Sequence, residues 1–251
     1  MTIERITPRE NDRRLIFLRH MAAYKYAAQY VHAATVLDCG CGTGYGAAYM
    51  KEAGAKHVVG IDKSACAVNH AMLRYCSAGL SFLWRNIVNF KGSRFDVVTC
   101  FQVIEHLEDT ASCLRVIRHA LKPGGIALFT TPNKPVYNPD GLRDNPFHVH
   151  EFEGEELESL LLRHFDSVHL MGITPNAPTA ASLTKAHKSW RRRAEVYAKK
   201  TRTMKMLRPV LPKWFRHILT YQKINVFGDG YEVTGSRNCL DLLAICYKEK
   251  E

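Results

Sequence analysis

The residues best suited to hold a ligand lie in "VLDCGCGTGYG", where an apolar run ends in Asp38 and passes directly into Gly40, Gly42 and Gly44. Glycines let a chain turn sharply and approach a ligand closely, and a helix starting behind them offers unpaired N–H groups. A flat polar molecule is the natural occupant. Gly42, Gly44 and Ala47 also satisfy the loose G-x-G-x-x-G/A dinucleotide fingerprint, with Asp62 at about the spacing of a ribose-binding acid. That pattern is weak by itself, and the single run of strands lacks a second nucleotide-binding half. A second group of chemistry-bearing residues comes later, in "FQVIEHLED" and "NPFHVHEF": Glu105, His106, His148 and His150 can each take or hold a proton. His148 and His150 alternate, so in an extended segment they point to opposite sides.

These groups must be positioned by something, and the rhythm around them is that of repeated βα units building a parallel sheet. Strands are expected at Thr35–Cys39, His57–Ile61, Leu80–Trp84, Phe95–Phe101, Gly125–Thr131, Ser167–Leu170 and Cys239–Tyr247, seven in all. Helices are expected at Gly44–Ala53, Ser64–Ser77, Thr110–Leu121 and Gly154–His164, with another over about Asn11 to His32. Ser64 can cap the second of these, and "KPGG" at Lys122–Gly125 stops the third. The expected fold is α/β, a Rossmann-like, mostly parallel seven-stranded sheet flanked by helices. It divides into an N-terminal helical segment (1–33), a ligand-binding core (34–171), a basic helical insertion or cap (172–237) and a strand that completes the sheet (238–251).

The insertion is long for a connection between strands and should have a role of its own. Met206, Leu207, Val210, Leu211, Trp214, Phe215, Ile218 and Leu219 recur near helical spacing among Lys205, Arg208, Lys213, Arg216 and His217. This is the pattern of a basic amphipathic helix, which Pro209 and Pro212 divide into two pieces. It could dock on the core, lie on an anionic membrane or grip RNA phosphates, for which Trp190, Tyr197 and Trp214 offer aromatic faces. Over the whole chain 35 Lys and Arg face 24 Asp and Glu, a formal charge of +11, so an anionic partner meeting the 185–217 segment is expected. The eight cysteines form no CxxC pair and no zinc spacing, and read as reduced, mostly core residues. With no apolar run long enough to span a bilayer, the expected location is the cytoplasm, with a peripheral place on a membrane open through the basic segment. The oligomeric state is left open.

Asp38 before the glycines, "FDVVTCFQVIEHL" and "LKPGGIALFTTPN" together resemble the class I S-adenosylmethionine-dependent methyltransferases, over roughly Thr35 to Phe152 and the terminal strand. The resemblance implies S-adenosylmethionine as cofactor. It places the methionine part against Asp38, Gly40, Cys41, Gly42 and Gly44, the ribose on Asp62 and the adenosine beside Lys63. Asn86 stands where many members have an acid for the adenine amino group, and Phe101 and Gln102, at the end of the fourth strand, complete the cofactor wall. "VIEHL" with "TPN" and "NPFHVHEF" further resembles bacterial methyltransferases of polysaccharide and glycolipid assembly, which implies a sugar hydroxyl or other small polar metabolite as acceptor. It also resembles the small-RNA 3′-end 2′-O-methyltransferases, whose metal site would fall on Glu105, His106 and His148. The first glutamate of that pattern is Gln102 here. No resident metal is therefore expected, and His148 is expected to be the base that takes the hydroxyl proton, assisted by His106 or His150. RNA 2′-O-methylation and a cofactor-binding scaffold without turnover are the alternatives.

Overall fold

The computed structural model describes residues 14–92, 94–137, 145, 147–176, 231–235 and 239–249. Eight strands form one sheet: β1 Thr35–Cys39, β2 His57–Asp62, β3 Leu80–Trp84, β4 Phe95–Phe101, β5 Leu121–Pro132, β6 Ser167–Pro175, β7 Tyr231–Thr234 and β8 Asp241–Tyr247. Six helices accompany them: α1 Arg14–Ala27, α2 Tyr45–Glu52, α3 Ala65–Tyr75, α4 Thr110–Ala120, the short α5 Lys134–Tyr137 and α6 Gly154–Leu162. The strand order is β3-β2-β1-β4-β5-β8-β6-β7. The first five are parallel neighbours, while β8 runs antiparallel between β5 and β6. Order reverses between β1 and β4, so the carbonyl ends of those two strands open a crevice at the switch point where α/β sheets take their ligands.

Local chemistry explains the elements. β1 and β4 are buried on both faces and accordingly read as nearly continuous apolar runs. Ser64 Oγ accepts from Ala67 N at 3.4 Å to start α3, Asp109 Oδ1 accepts from Ser112 N at 2.9 Å to start α4, and Glu153 with Glu156 forms a capping box on α6. The apolar face of α4, Cys113, Leu114 and Ile117, packs with Phe129 and Leu161 in one of two cores on either side of the sheet. No described helix is long and apolar enough to cross a membrane.

Two expectations are corrected. The sheet has an eighth strand, because β6 continues past Leu170 to Pro175 and pairs with Tyr231–Thr234, so both ends of the stretch taken as an insertion belong to the sheet. Gly172, expected to open the insertion, pairs with Thr234 on one side and Leu242 on the other. β5 begins at Leu121, and the "KPGG" turn is absorbed at the strand's start with Gly124 at φ +77°. Most of the eight cysteines are core residues as expected, six being buried and Cys66 and Cys76 exposed. The basic amphipathic pattern, the two prolines that divide it and the 185–217 segment lie outside the described residues.

On α4 Ile117 is fully buried, while on α3 Leu73 is 91% exposed, which separates core from surface. Ile117→Ala is expected to lower unfolding free energy by about 2–5 kcal/mol in urea titrations, and Leu73→Ala by less than about 0.5 kcal/mol.

Candidate functional site

The crevice floor is the turn from Gly40 to Gly44, stitched to the end of β2 by Gly40 N and Cys41 N donating to Ile61 O at 2.8 and 3.0 Å. A Cβ added at Gly40 would lie 2.3 Å from Val103 Cγ2, so packing beneath the turn demands glycine there. Gly42 differs. It has φ +53°, and a Cβ added to it would meet nothing within 4 Å, so this position faces open space. The Cys41 side chain is buried and packs against Gly60, which leaves its backbone to shape the floor. Gly44 caps α2 in the left-handed region and packs on Ala71 and Phe82.

Asp62 accepts from Gly42 N through Oδ2 at 3.0 Å and from Ser64 N through Oδ1 at 2.8 Å. Each carboxylate oxygen can accept more than one bond, so both retain capacity for a pair of ribose hydroxyls. Lys63 is exposed beside it and accepts from Trp84 Nε1 at 3.1 Å through its carbonyl oxygen. Trp84 pairs with Asp62 in the sheet register and is 62% exposed, an aromatic face at the crevice edge that sequence patterning did not single out. Asn86 is exposed and caps a 3₁₀ turn, its Oδ1 accepting from Val88 N at 3.3 Å.

Asp38 is placed differently from a ligand-facing acid. Its carboxylate is fully buried and accepts from Thr99 Oγ1 at 2.8 Å and from Tyr24 Oη at 3.2 Å to each oxygen. Burial raises its pKa to about 7, against the pull of the Thr99 and Tyr24 bonds. Tyr24, on α1, fits over Gly46, where a Cβ would lie 2.0 Å from its Cζ, and meets Phe101 edge-on at 5.0 Å. Phe101 is thus a buried wall behind Tyr24. α1 is also fixed by Arg19, whose Nε lies 3.0 Å from the buried Asp241 Oδ2 at the start of β8. Asp241 is pushed up by burial, while Arg19 and a Gln102 side-chain bond pull it down. Gln102, in the left-handed region at φ +54°, also donates Nε2 to Thr130 Oγ1 at 3.3 Å. It belongs to this buried network.

A second cluster of chemistry-bearing side chains is built where β4 and β5 end. Glu105 and His106 lie on a 3₁₀ turn after β4, and the loop carrying His148 is bound to it by Val149 N and His150 N donating to Glu105 O at 2.7 and 3.1 Å. Thr131 Oγ1 donates to Glu105 Oε2 at 3.2 Å inside the fold. His106 Nδ1 lies 2.9 Å from Phe147 O; a carbonyl can only accept, so Nδ1 carries the proton and Nε2 the lone pair when the ring is neutral. His148 Nδ1 lies 3.0 Å from Glu151 Oε1 with both side chains buried. Glu105, His106 and His148 each bring one donor atom to within 4.8 Å of the others, a carboxylate and two imidazoles able to hold a metal ion. His150 faces away, exposed, and bonds Glu156 Oε1 at 2.6 Å. Glu151, Tyr24, Thr99 and Arg19 were not singled out in the sequence, since each is tied to its partner only by the fold.

A family profile described as a methyltransferase domain matches residues 5–195. A protein named probable S-adenosylmethionine-dependent methyltransferase from Mycolicibacterium smegmatis is 35% identical over 164 residues, covering 64% of this chain and 63% of that protein. A ubiquinone biosynthesis O-methyltransferase of Serratia proteamaculans is 37% identical over 105 residues, 40% of this chain and 43% of that one. The chain thus spans about six tenths of the length of the first curated relatives it matches. Among solved structures, a Thermotoga maritima S-adenosylmethionine-dependent methyltransferase described as a possible histamine N-methyltransferase superposes with TM-score 0.60 at 16% identity, covering 93% of both chains. The N-methyltransferase NodS of Bradyrhizobium japonicum, solved with S-adenosyl-l-homocysteine, has TM-score 0.54 at 15% identity, covering 95% and 89%.

The raised pKa of Asp38 gives a signed expectation. A carboxyl that holds its proton more tightly when folded contributes stability in full below pH 3.8 and loses it as pH rises through about 7. Asp38→Asn should flatten the fall in unfolding free energy across that window by up to about 4 kcal/mol, measured by denaturant titration at successive pH values. Parallel curves for the two proteins would mean that this carboxyl titrates alike in both states.

Proposed function

The chain belongs to the S-adenosylmethionine-dependent methyltransferase family, and from that membership we propose that it methylates a hydroxyl oxygen of a sugar or other small polar metabolite. The observation that carries the choice of an oxygen acceptor is the buried His148–Glu151 pair, set beside Glu105 and His106 where β4 and β5 end. An alcohol must lose its proton as the new bond forms, and a positioned imidazole supplies that service. The glycine turn would seat the cofactor's amino-acid end and Asp62 its ribose. Bound there, S-adenosylmethionine supplies an electrophilic methyl group. Because displacement is in line, most of the catalysis is placement of the acceptor oxygen. His148 Nε2 takes the hydroxyl proton, while Glu151 holds Nδ1–H, fixes the tautomer and offsets the charge of the resulting imidazolium. Glu105 and His106 flank the acceptor and orient it; His150 is turned outward and has no part in this step.

The same cluster favours a second reading in which a divalent metal assists. One carboxylate oxygen and two imidazole nitrogens suit Mn²⁺, Fe²⁺ or Zn²⁺ better than Mg²⁺, which prefers oxygen alone. Glu105, His106 and His148 would hold the ion, with Glu151 orienting His148 from behind, and the bound ion would acidify the acceptor hydroxyl. RNA 2′-O-methylation belongs with this reading.

The 185–217 segment is proposed to meet an anionic partner, a membrane surface or RNA. What supports this is the anchoring of its flanks. β6 runs in the direction of β5, and Pro175 pairs with Tyr231, so the chain leaves the described residues and returns to them at the crevice pole.

His148→Ala should abolish methyl transfer to a sugar-hydroxyl panel while leaving S-adenosylhomocysteine affinity within about twofold. Glu151→Gln should cut turnover by about 10²-fold or more, the scale of general-base assistance. Turnover unchanged in His148→Ala would remove His148 as the base. Chelator separates the two readings. Retained activity supports the histidine alone, and loss restored by Mn²⁺ supports the metal. Full activity in chelator with no RNA retention at low salt would remove the RNA alternative. Absence of product with every acceptor would leave a cofactor-binding scaffold.

A further inference from the structure

At the pole of the sheet opposite the crevice, the C-terminal ends of α4, α6 and β8 meet the start of β6 around an open concavity of about 460 Å³. Its wall carries four cationic side chains, Arg115, Arg118, Arg163 and Lys248, against one carboxylate, Asp166, with His119 and His164 between them. Two of the cations have structural work. Arg118 grips Asp166 through Nη1 and Nη2 at 3.0 and 3.2 Å, and Glu249 N also donates to Asp166 Oδ2 at 2.9 Å. Lys248 Nζ donates to Arg118 O and Leu121 O at 3.2 and 3.0 Å, closing the end of α4 where a positive charge suits the helix dipole.

Holding the fold together therefore needs only Arg118 and Lys248. Arg115 donates to Ser112 Oγ at 2.6 Å with its remaining N–H groups unspent, and Arg163 has no carboxylate partner among the described residues. Like charges gathered on one concave wall repel each other unless a counter-anion joins them. The volume is in the range of small-ligand sites, but the wall is charged rather than apolar, which excludes a hydrophobic guest. A single carboxylate is already matched there, so the remaining excess calls for an anion of several charges. Arginine forks suit phosphate oxygens.

We propose that this concavity binds a diphosphate group, free or carried by a nucleotide, with Arg115 and Arg163 making the new charge-assisted hydrogen bonds. His164 is the built-in reporter. Burial first, then Arg115, Arg118 and Arg163, hold its imidazole below the ordinary histidine range. An anion seated among those arginines offsets their field and lets the ring take a proton at higher pH.

The test is calorimetric titration of the full chain with sodium pyrophosphate and with ADP at low ionic strength, alongside an NMR pH titration of the His164 ring, assigned by its loss in His164→Gln. Expected are saturable binding, an upward shift of the His164 titration on adding pyrophosphate, and about tenfold or greater weakening in Arg115→Glu and in Arg163→Glu. Lys56→Glu, at an exposed lysine before β2 that belongs to neither the crevice nor the basic segment, should bind as the native chain does. ADP tighter than pyrophosphate assigns a nucleotide, and equal affinities assign the diphosphate alone; either supports the site. No binding of either compound, binding lost in Lys56→Glu but kept in the pocket variants, or an unmoved His164 titration overturns it. Should an arginine variant unfold, the His164 titration in the native chain decides.

Discussion

A carboxylate with no exposed surface must find donors inside the protein or give up its charge; Asp38 finds Thr99 on β4 and Tyr24 on α1, and burial still raises its pKa to about 7. Much of the ligand side of the molecule follows from that requirement. Tyr24 can reach Asp38 only because residue 46 is glycine, and Phe101 closes the far side of the same ring. The helix preceding the first strand is therefore held over the root of the glycine turn by a buried polar bond, and the Arg19–Asp241 pair holds it again at the other side of the sheet's centre. Cutting one member of a buried pair leaves the other charge stranded, so these contacts set position more than they add stability.

The Glu105–His106–His148 cluster obeys a related logic. Backbone N–H groups of the His148 loop donate to the Glu105 carbonyl, and this cross-brace, rather than sequence adjacency, brings side chains more than forty residues apart onto one wall. Each imidazole there has one nitrogen committed, His106 to a carbonyl and His148 to a carboxylate, which turns the second nitrogen of both toward common chemistry.

How far this was legible from residue order depends on the range of the interactions. Five strands, β1 to β4 and β8, fall within a residue or two of where patterning put them, because each is a short apolar run bounded by turn residues. His148 is buried and His150 exposed, although their segment is a turn and bend rather than an extended strand. Asp38, Gly40 to Gly44, Asp62, Glu105 and His106 were visible because the turn and the 3₁₀ segment are local. Hidden were the partners supplied from far away: Tyr24 and Thr99 for Asp38, Glu151 within its own loop but lacking any spacing signature, and Arg19 for an aspartate some two hundred residues later. β7 escaped because four residues with a single partner strand leave almost no periodic trace.

The placement of β8 between β5 and β6 has a consequence for the order of assembly. β6 has no edge to join until a strand translated some sixty-five residues later has docked on β5, so during synthesis the nascent sheet stops at β5. For that interval the outer edge of β5 and the apolar faces of Leu242, Leu243 and Ile245 have no partners, a window in which pairing with another copy competes with native closure. The strand that completes the fold is thus also the ribosome's last contribution to it among the described strands, and any delay in its release lengthens the exposure of an open edge.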